Sequence, residues 1–188
     1  MIATANNGKF KEFSELLSEF NFDLLKQPKD FSVDENGKSF KENARIKALA
    51  LSKKTGLLTL ADDSGLSVDS LKGKPGIYSS RYANNDQERI KKLLEEIKPF
   101  SNRNAKFISA LCVSLNDEVL IEVEAYCEGF ITEMPRGIYG FGYDPIFKVK
   151  ETNFTFAEMN KKDKLLLGHR GKAFNLLKPE LIKVLELN

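Results

Sequence analysis

Two long β-rich runs, Ala105 to Leu115 and Val119 to Tyr126, joined at Asn116-Asp117, constrain this chain most. Asparagine and aspartate tolerate the backbone of a two-residue hairpin turn, so the runs pair as neighbours and form the central ribbon of a sheet. Around that ribbon lie a very short strand at Met1 to Thr4, a second around Phe22 to Leu25 and a buried apolar run from Leu57 to Ala61. Helical stripes alternate with them. Phe10, Phe13, Leu16, Leu17 and Phe20 make one, and Ala44, Ala48 and Leu51 make another within Phe40 to Lys54, stopped by Gly56. Ile90, Leu93, Leu94 and Ile97 align within Asp86 to Ile97. The stretch Glu158 to Leu187 is largely helical, interrupted near Gly168 and Pro179. The class is α/β, with one domain over residues 1–188 as the expectation, or two lobes around a cleft.

Charge excludes little: 29 Lys and Arg stand against 27 Asp and Glu, a net charge of +2. Its distribution says more, because Lys161, Lys162, Lys164, Arg170 and Lys172 face only Asp163, a local cluster suited to phosphates. Cys112 and Cys127 lie in separate strand-like runs and read as buried thiols, and the single histidine rules out a Cys/His metal pattern. No apolar stretch reaches the roughly 18 residues of a membrane helix, and no secretory profile opens the chain. The expectation is a soluble, cytoplasmic protein with no membrane and no nucleic-acid partner.

Chemistry concentrates in a few places. The run Leu57 to Ala61 empties into Asp62, Asp63, Ser64 and Gly65. Side chains alternate along an extended chain, so the two acids face opposite ways, one to serve a site and one to anchor structure. Adjacent acids at a strand end suit a hard cation such as Mg²⁺, and an Asx-turn with solvated acids is the bland alternative. The loop Ala5-Asn6-Asn7-Gly8 sits between a strand and a helix amino end, where unpaired N–H groups and the helix dipole favour an anion. Thr4, Asn6 and Lys9 add a hydroxyl, an amide and a cation; capping by Asn6 or Asn7 is the plainer account. The polar loop Gln27 to Ser39 carries Asp30, Asp34 and Glu35, which matter only if the fold returns them to Asp63.

Farther on, Tyr139-Gly140-Phe141-Gly142-Tyr143-Asp144 interleaves aromatics with glycines, so that a flat ligand can stack while Asp144 accepts from ring N–H donors. Packing over a strand end is the commoner use of such a stretch. Lys164, His169 and Arg170 can share one side of the last helical stretch, where a lone histidine is more often structural than catalytic.

Together, Thr4-x-Asn6-x-x-Lys9, Phe40-x-Glu42-Asn43-Ala44, Ala61-Asp62-Asp63-Ser64-Gly65-Leu66, Gly73-x-Pro75-Gly76-x-Tyr78-Ser79-x-Arg81-Tyr82, Phe141-Gly142-Tyr143-Asp144-Pro145-Ile146-Phe147 and His169-Arg170-Gly171-x-Ala173 resemble the inosine triphosphate pyrophosphatase family. The resemblance runs in order through almost the whole chain. It implies a mixed twisted sheet with flanking helices, two lobes around a central substrate cleft and a homodimer. It also implies Mg²⁺-dependent hydrolysis of deaminated purine nucleoside triphosphates, such as those of inosine and xanthosine, to monophosphate and pyrophosphate. By position it gives Thr4, Ala5, Asn6, Asn7, Gly8 and Lys9 to the triphosphate. Asp63 becomes proton acceptor and metal ligand with Glu35, favoured over Asp34, as second carboxylate. Ser64 would touch substrate, Phe141, Gly142, Tyr143 and Asp144 would hold base and sugar, and Lys164, His169 and Arg170 would read the purine. The chain departs from the pattern at Gly168, where serine is usual, and at Leu165, where asparagine is usual.

Overall fold

A computed structural model describes residues 1–186. In chain order the elements are β1 (Ile2–Ala3), α1 (Asn7–Leu16), α2 (Phe40–Thr55), β2 (Thr59–Val68), α3 (Asp86–Ile97), β3 (Asn104–Leu115), β4 (Glu118–Ile131), β5 (Phe147–Val149), α4 (Lys161–Leu167) and α5 (His169–Glu186), with short 3-10 turns between them. The five strands form one mixed sheet in the order β1-β2-β3-β4-β5. β1 runs parallel to β2, with Ile2 opposite Leu60, and β5 runs antiparallel to β4, with Val149 opposite Gly129. The hairpin forms where expected, its turn carried by Asn116 at φ 56°.

Local chemistry sets the helix ends. Asn6, Ser39, Asn85 and Asn160 cap α1, α2, α3 and α4 by accepting backbone N–H groups three residues on, and Gly56 ends α2 in the left-handed region at φ 68°. Each removes an orphaned backbone group, so the boundaries of α2 and α3 lie close to those read from sequence.

The chain divides into two compact units. The first comprises residues 1–63, 109–125 and 170 onward; the second comprises 64–108 and 126–169. The division passes through β2, β3 and β4, and it separates Asp63 from Ser64 and His169 from Arg170. Each unit has its own core. Ile2, Phe13, Leu60, Leu111, Phe174 and Leu177 are buried together in the first. Leu66, Leu93, Ile97, Phe107, Phe147 and Phe156 are buried together in the second, with Phe107 edge-on to Phe147 at 4.8 Å. Among the described residues no helix is long and apolar enough to cross a membrane.

Three expectations change. β2 does not end at Ala61: it continues to Val68, because Leu66 and Val68 have a core to enter, so Asp62, Asp63 and Gly65 are mid-strand. Phe22 to Leu25 forms no strand. Phe22 instead stacks on Phe20 at 5.4 Å, and the chain just beyond meets β1 as an isolated bridge at Ile2, which donates to Leu25 O and accepts from Gln27 N–H. Pro179 does not interrupt α5, because Leu177 and Leu181 are buried on either side and hold the helix across the one missing N–H.

Gly129 is required by packing. A Cβ there would lie 2.3 Å from the Lys148 carbonyl oxygen and 2.6 Å from the Phe147 ring. Gly129→Ala is expected to cost about 1–3 kcal/mol through overpacking, read as a lower urea midpoint at unchanged m-value.

Candidate active site

The pleat of β2 sends its two adjacent acids to different surroundings. Asp62 is buried, and its Oδ2 lies 2.8 Å from Lys9 Nζ and 3.6 Å from Arg170 Nε, while its Oδ1 accepts from Ser109 Oγ at 2.6 Å. Arg170 also donates to Glu12 Oε2 at 2.9 Å. Burial alone would raise the Asp62 carboxyl, but the charges of Lys9 and Arg170, with hydrogen bonds from Lys9 and Ser109, outweigh it and hold the acid well below the usual carboxylate range. The acid is a fixed negative charge that orients two cations.

Asp63, one residue on, is handled in the opposite way. Its Oδ2 accepts from Asn43 Nδ2 at 3.0 Å, and its Oδ1 lies 3.6 Å from Lys47 Nζ. Burial pushes its pKa up, only partly offset by Lys47, Lys9 and Asn43. A carboxylate more basic than usual is better suited to take a proton.

Asn43 does a second job. Its Oδ1 accepts from Gly37 N–H at 2.9 Å, which draws the loop before α2 toward β2. Glu35 therefore comes to the same lysine as Asp63, with Oε1 3.4 Å from Lys47 Nζ. Lys47 also donates to the Asp62 carbonyl at 2.8 Å. Two carboxylates thus lie beside one ammonium. Among the described residues no group of three or more His, Cys, Asp or Glu side chains is set to hold a metal. The donor set fits an ion that takes one or two carboxylates and completes its shell with phosphate oxygens and water, as Mg²⁺ does.

The loop ahead of α1 lies in the same unit. Asn6 Oδ1 accepts from Lys9 N–H at 3.1 Å, and Thr4 Oγ1 accepts from Asn6 N–H at 3.2 Å. Capping accordingly takes part of this loop, and the amides of Asn7 and Gly8 are the first-turn donors without an intrahelical acceptor. Ala5, Asn6 and Asn7 are exposed.

The second unit holds the other candidates. Asp144 is buried, and its Oδ2 accepts from Phe141 N–H at 2.9 Å and from Lys164 Nζ at 2.7 Å. The Lys164 ammonium lies 4.8 Å from the centre of the Phe141 ring, a cation–π arrangement. Gly140 is obligatory here, since a Cβ would fall 2.0 Å from Asp144 Oδ2. Tyr143 is turned into the core and donates its hydroxyl to Ser79 O at 3.0 Å, so it has backbone rather than a ring to offer a ligand. His169 is buried with its ring stacked on Phe107 at 4.7 Å. Ser64 is half-buried on β2.

One helix does not carry Lys164, His169 and Arg170 on a common face. Gly168 ends α4 and His169 begins α5, so Lys164 pairs with Asp144 in the second unit while Arg170 pairs with Asp62 and Glu12 in the first. Lys47 was not singled out from sequence. Its spacing of four from Asn43 on α2 places both on one helical face and was the available signal.

The mixed α/β fold thus presents a capped loop ahead of α1, a buried acid compensated by two cations, and a second acid that shares Lys47 with Glu35. The chain belongs to the Ham1 family, whose model matches residues 1–180. It is 58% identical over 185 residues to the dITP/XTP pyrophosphatase of Prochlorococcus marinus (strain NATL1A), covering 98% of this chain and 94% of that one. Among solved structures it is similar to a HAM1 protein from Coxiella burnetii, with a TM-score of 0.86, 38% identity and 97% of each chain covered. The Staphylococcus aureus Ham1 protein is comparably close, with a TM-score of 0.85, 36% identity and 97% of each chain covered.

Proposed function

We propose that this enzyme hydrolyses deaminated purine nucleoside triphosphates, those of inosine, deoxyinosine and xanthosine, to the monophosphate and pyrophosphate with Mg²⁺, and that Asp63 is its proton acceptor. The observation that carries the reading is the division between the neighbouring acids: Asp62 is neutralised by Lys9 and Arg170, whereas Asp63 is seated by Asn43 and shares Lys47 with a second carboxylate, Glu35. A bound Mg²⁺ would be held by Asp63 and Glu35 and would supply neutralisation of phosphate charge.

The remaining work falls to side chains. Lys9 and the first-turn amides of α1 bind the polyphosphate oxygens, with Thr4 and Asn6 shaping the loop. Asn43 holds one oxygen of Asp63, which leaves the other to orient the attacking water and receive its proton. Lys47 offsets the charge of Glu35 and Asp63 before substrate arrives. Arg170, paired with Asp62 and Glu12, keeps the buried Asp62 compensated.

Base selection rests with Phe141, Asp144 and Lys164. A lysine donor suits the 6-keto oxygen of a deaminated purine, whereas the 6-amino group of adenine sets donor against donor at that position. The family resemblance supports a homodimer, and the buried thiols Cys112 and Cys127 support a reducing, cytoplasmic setting.

Pyrophosphate release from inosine, xanthosine, guanosine and adenosine triphosphates, with and without Mg²⁺, tests the reading. The expected result is metal-dependent release with kcat/KM for inosine triphosphate at least about tenfold above that for ATP. Equal kcat/KM for the two would overturn the base assignment.

A further inference from the structure

The aromatic loop 139–144 is held from outside by a residue that no part of the reaction uses. Asp86, the first residue of α3, accepts the Gly142 N–H at its Oδ2 over 2.7 Å. Its other oxygen lies 2.7 Å from Arg89 Nη1, and Arg89 Nε donates to the Ala83 carbonyl at 3.1 Å. The carboxylate is therefore clamped on one side and extended to the loop on the other. Gly142 has φ 63°, a conformation that brings its N–H to an external acceptor and that other residues rarely adopt.

Gly142 is bonded directly to Phe141, whose ring faces the Lys164 ammonium. Other ties hold the loop around this point: the Tyr139 N–H donates to Ala157 O, the Phe141 N–H to Asp144 Oδ2 and the Tyr143 hydroxyl to Ser79 O, while the Phe141 carbonyl accepts from the Asp144 N–H at 3.3 Å. The peptide between Phe141 and Gly142 is thus held at its carbonyl by a long neutral bond and at its N–H by Asp86. The Asp86 bond is charge-assisted, and so it is the shorter and stronger of the two.

We propose that Asp86 is a positioning residue for base recognition: through the Gly142 amide it sets the plane of the Phe141 ring relative to Lys164. The inference rests on the reading that Phe141 and Lys164 take the base. It separates base binding from polyphosphate binding, because the Lys9 loop has no part in the Asp86 network.

Equilibrium binding of inosine monophosphate and of inorganic tripolyphosphate, measured on wild type, Asp86→Ala, Asp86→Asn and Phe141→Ala, tests it. Asp86→Ala is expected to weaken the monophosphate about tenfold, as for loss of one charge-assisted hydrogen bond, and to change tripolyphosphate by less than about twofold. Asp86→Asn, whose amide oxygen still accepts the Gly142 N–H, should recover most of the loss. Arg89→Met unclamps the carboxylate and should give the same one-sided loss at smaller size, which keeps the comparison open if Asp86→Ala does not fold.

Wild-type monophosphate binding by Asp86→Ala, alongside weakened binding by Phe141→Ala, would overturn the positioning role while leaving the base loop in place. Unchanged binding by Phe141→Ala would overturn the base loop, and the role of Asp86 with it. Equal loss of both probes in Asp86→Ala would mean general loosening and would also overturn the proposal.

Discussion

Asp63→Asn should lower kcat for inosine triphosphate by about 10³-fold while the protein still folds, because a proton acceptor and a proposed metal carboxylate are lost together. The amide keeps the shape of the carboxyl and can still accept from Asn43 Nδ2, so the hydrogen bond that seats residue 63 survives. What disappears is negative charge beside Lys47 and the capacity to take a proton. The measurement is pyrophosphate release under saturating Mg²⁺, paired with thermal unfolding of the same preparation. A variant that keeps more than about a tenth of wild-type kcat would remove Asp63 from the chemistry, since general-base catalysis is worth at least about 10²-fold.

The neighbouring acid should behave in the reverse manner. Asp62→Ala removes the partner of two buried cations, Lys9 and Arg170, and leaves Ser109 Oγ without its acceptor. Breaking a buried ion pair from one side costs about 3–5 kcal/mol, because the surviving charge stays desolvated. Thermal or urea unfolding should register that loss directly.

The pH dependence of this loss has a definite sign. The carboxyl of Asp62 is depressed in the folded state, so its contribution is fully present above the unfolded pKa of about 3.9 and is lost as pH falls through the lower folded value. The stability gap between wild type and Asp62→Ala should therefore narrow only below about pH 4. A gap already closed at neutral pH would contradict the pairing.

Much of this was legible in the residues. The hairpin at Asn116-Asp117, the stop at Gly56 and the extent of α3 follow from turn chemistry, capping and a 3.6-residue stripe, which are local. The opposite facing of Asp62 and Asp63 follows from the period of a strand. What escaped depended on tertiary context. Whether β2 ended at Ala61 or ran on to Val68 was decided by a core that receives Leu66 and Val68, and no window of sequence contains that core. Pro179 reads as a breaker until Leu177 and Leu181 are seen buried beside it. In the site, Ser109 reaches Asp62 across 47 residues and Glu12 reaches Arg170 across 158, separations at which periodicity is silent. Lys47 was within reach, as the residue one helical turn beyond Asn43.

The mid-strand location of the paired acids has an evolutionary corollary. Because consecutive side chains of a pleated ribbon point to opposite faces, a single-residue deletion or insertion upstream within β2 would exchange their surroundings. The easily protonated environment would receive the wrong carboxyl, and the cationic one would receive the other. Length changes in this lineage should consequently be confined to the connections around Gly56 and beyond Val68, whereas the ladder that carries Asp62 and Asp63 keeps an invariant count.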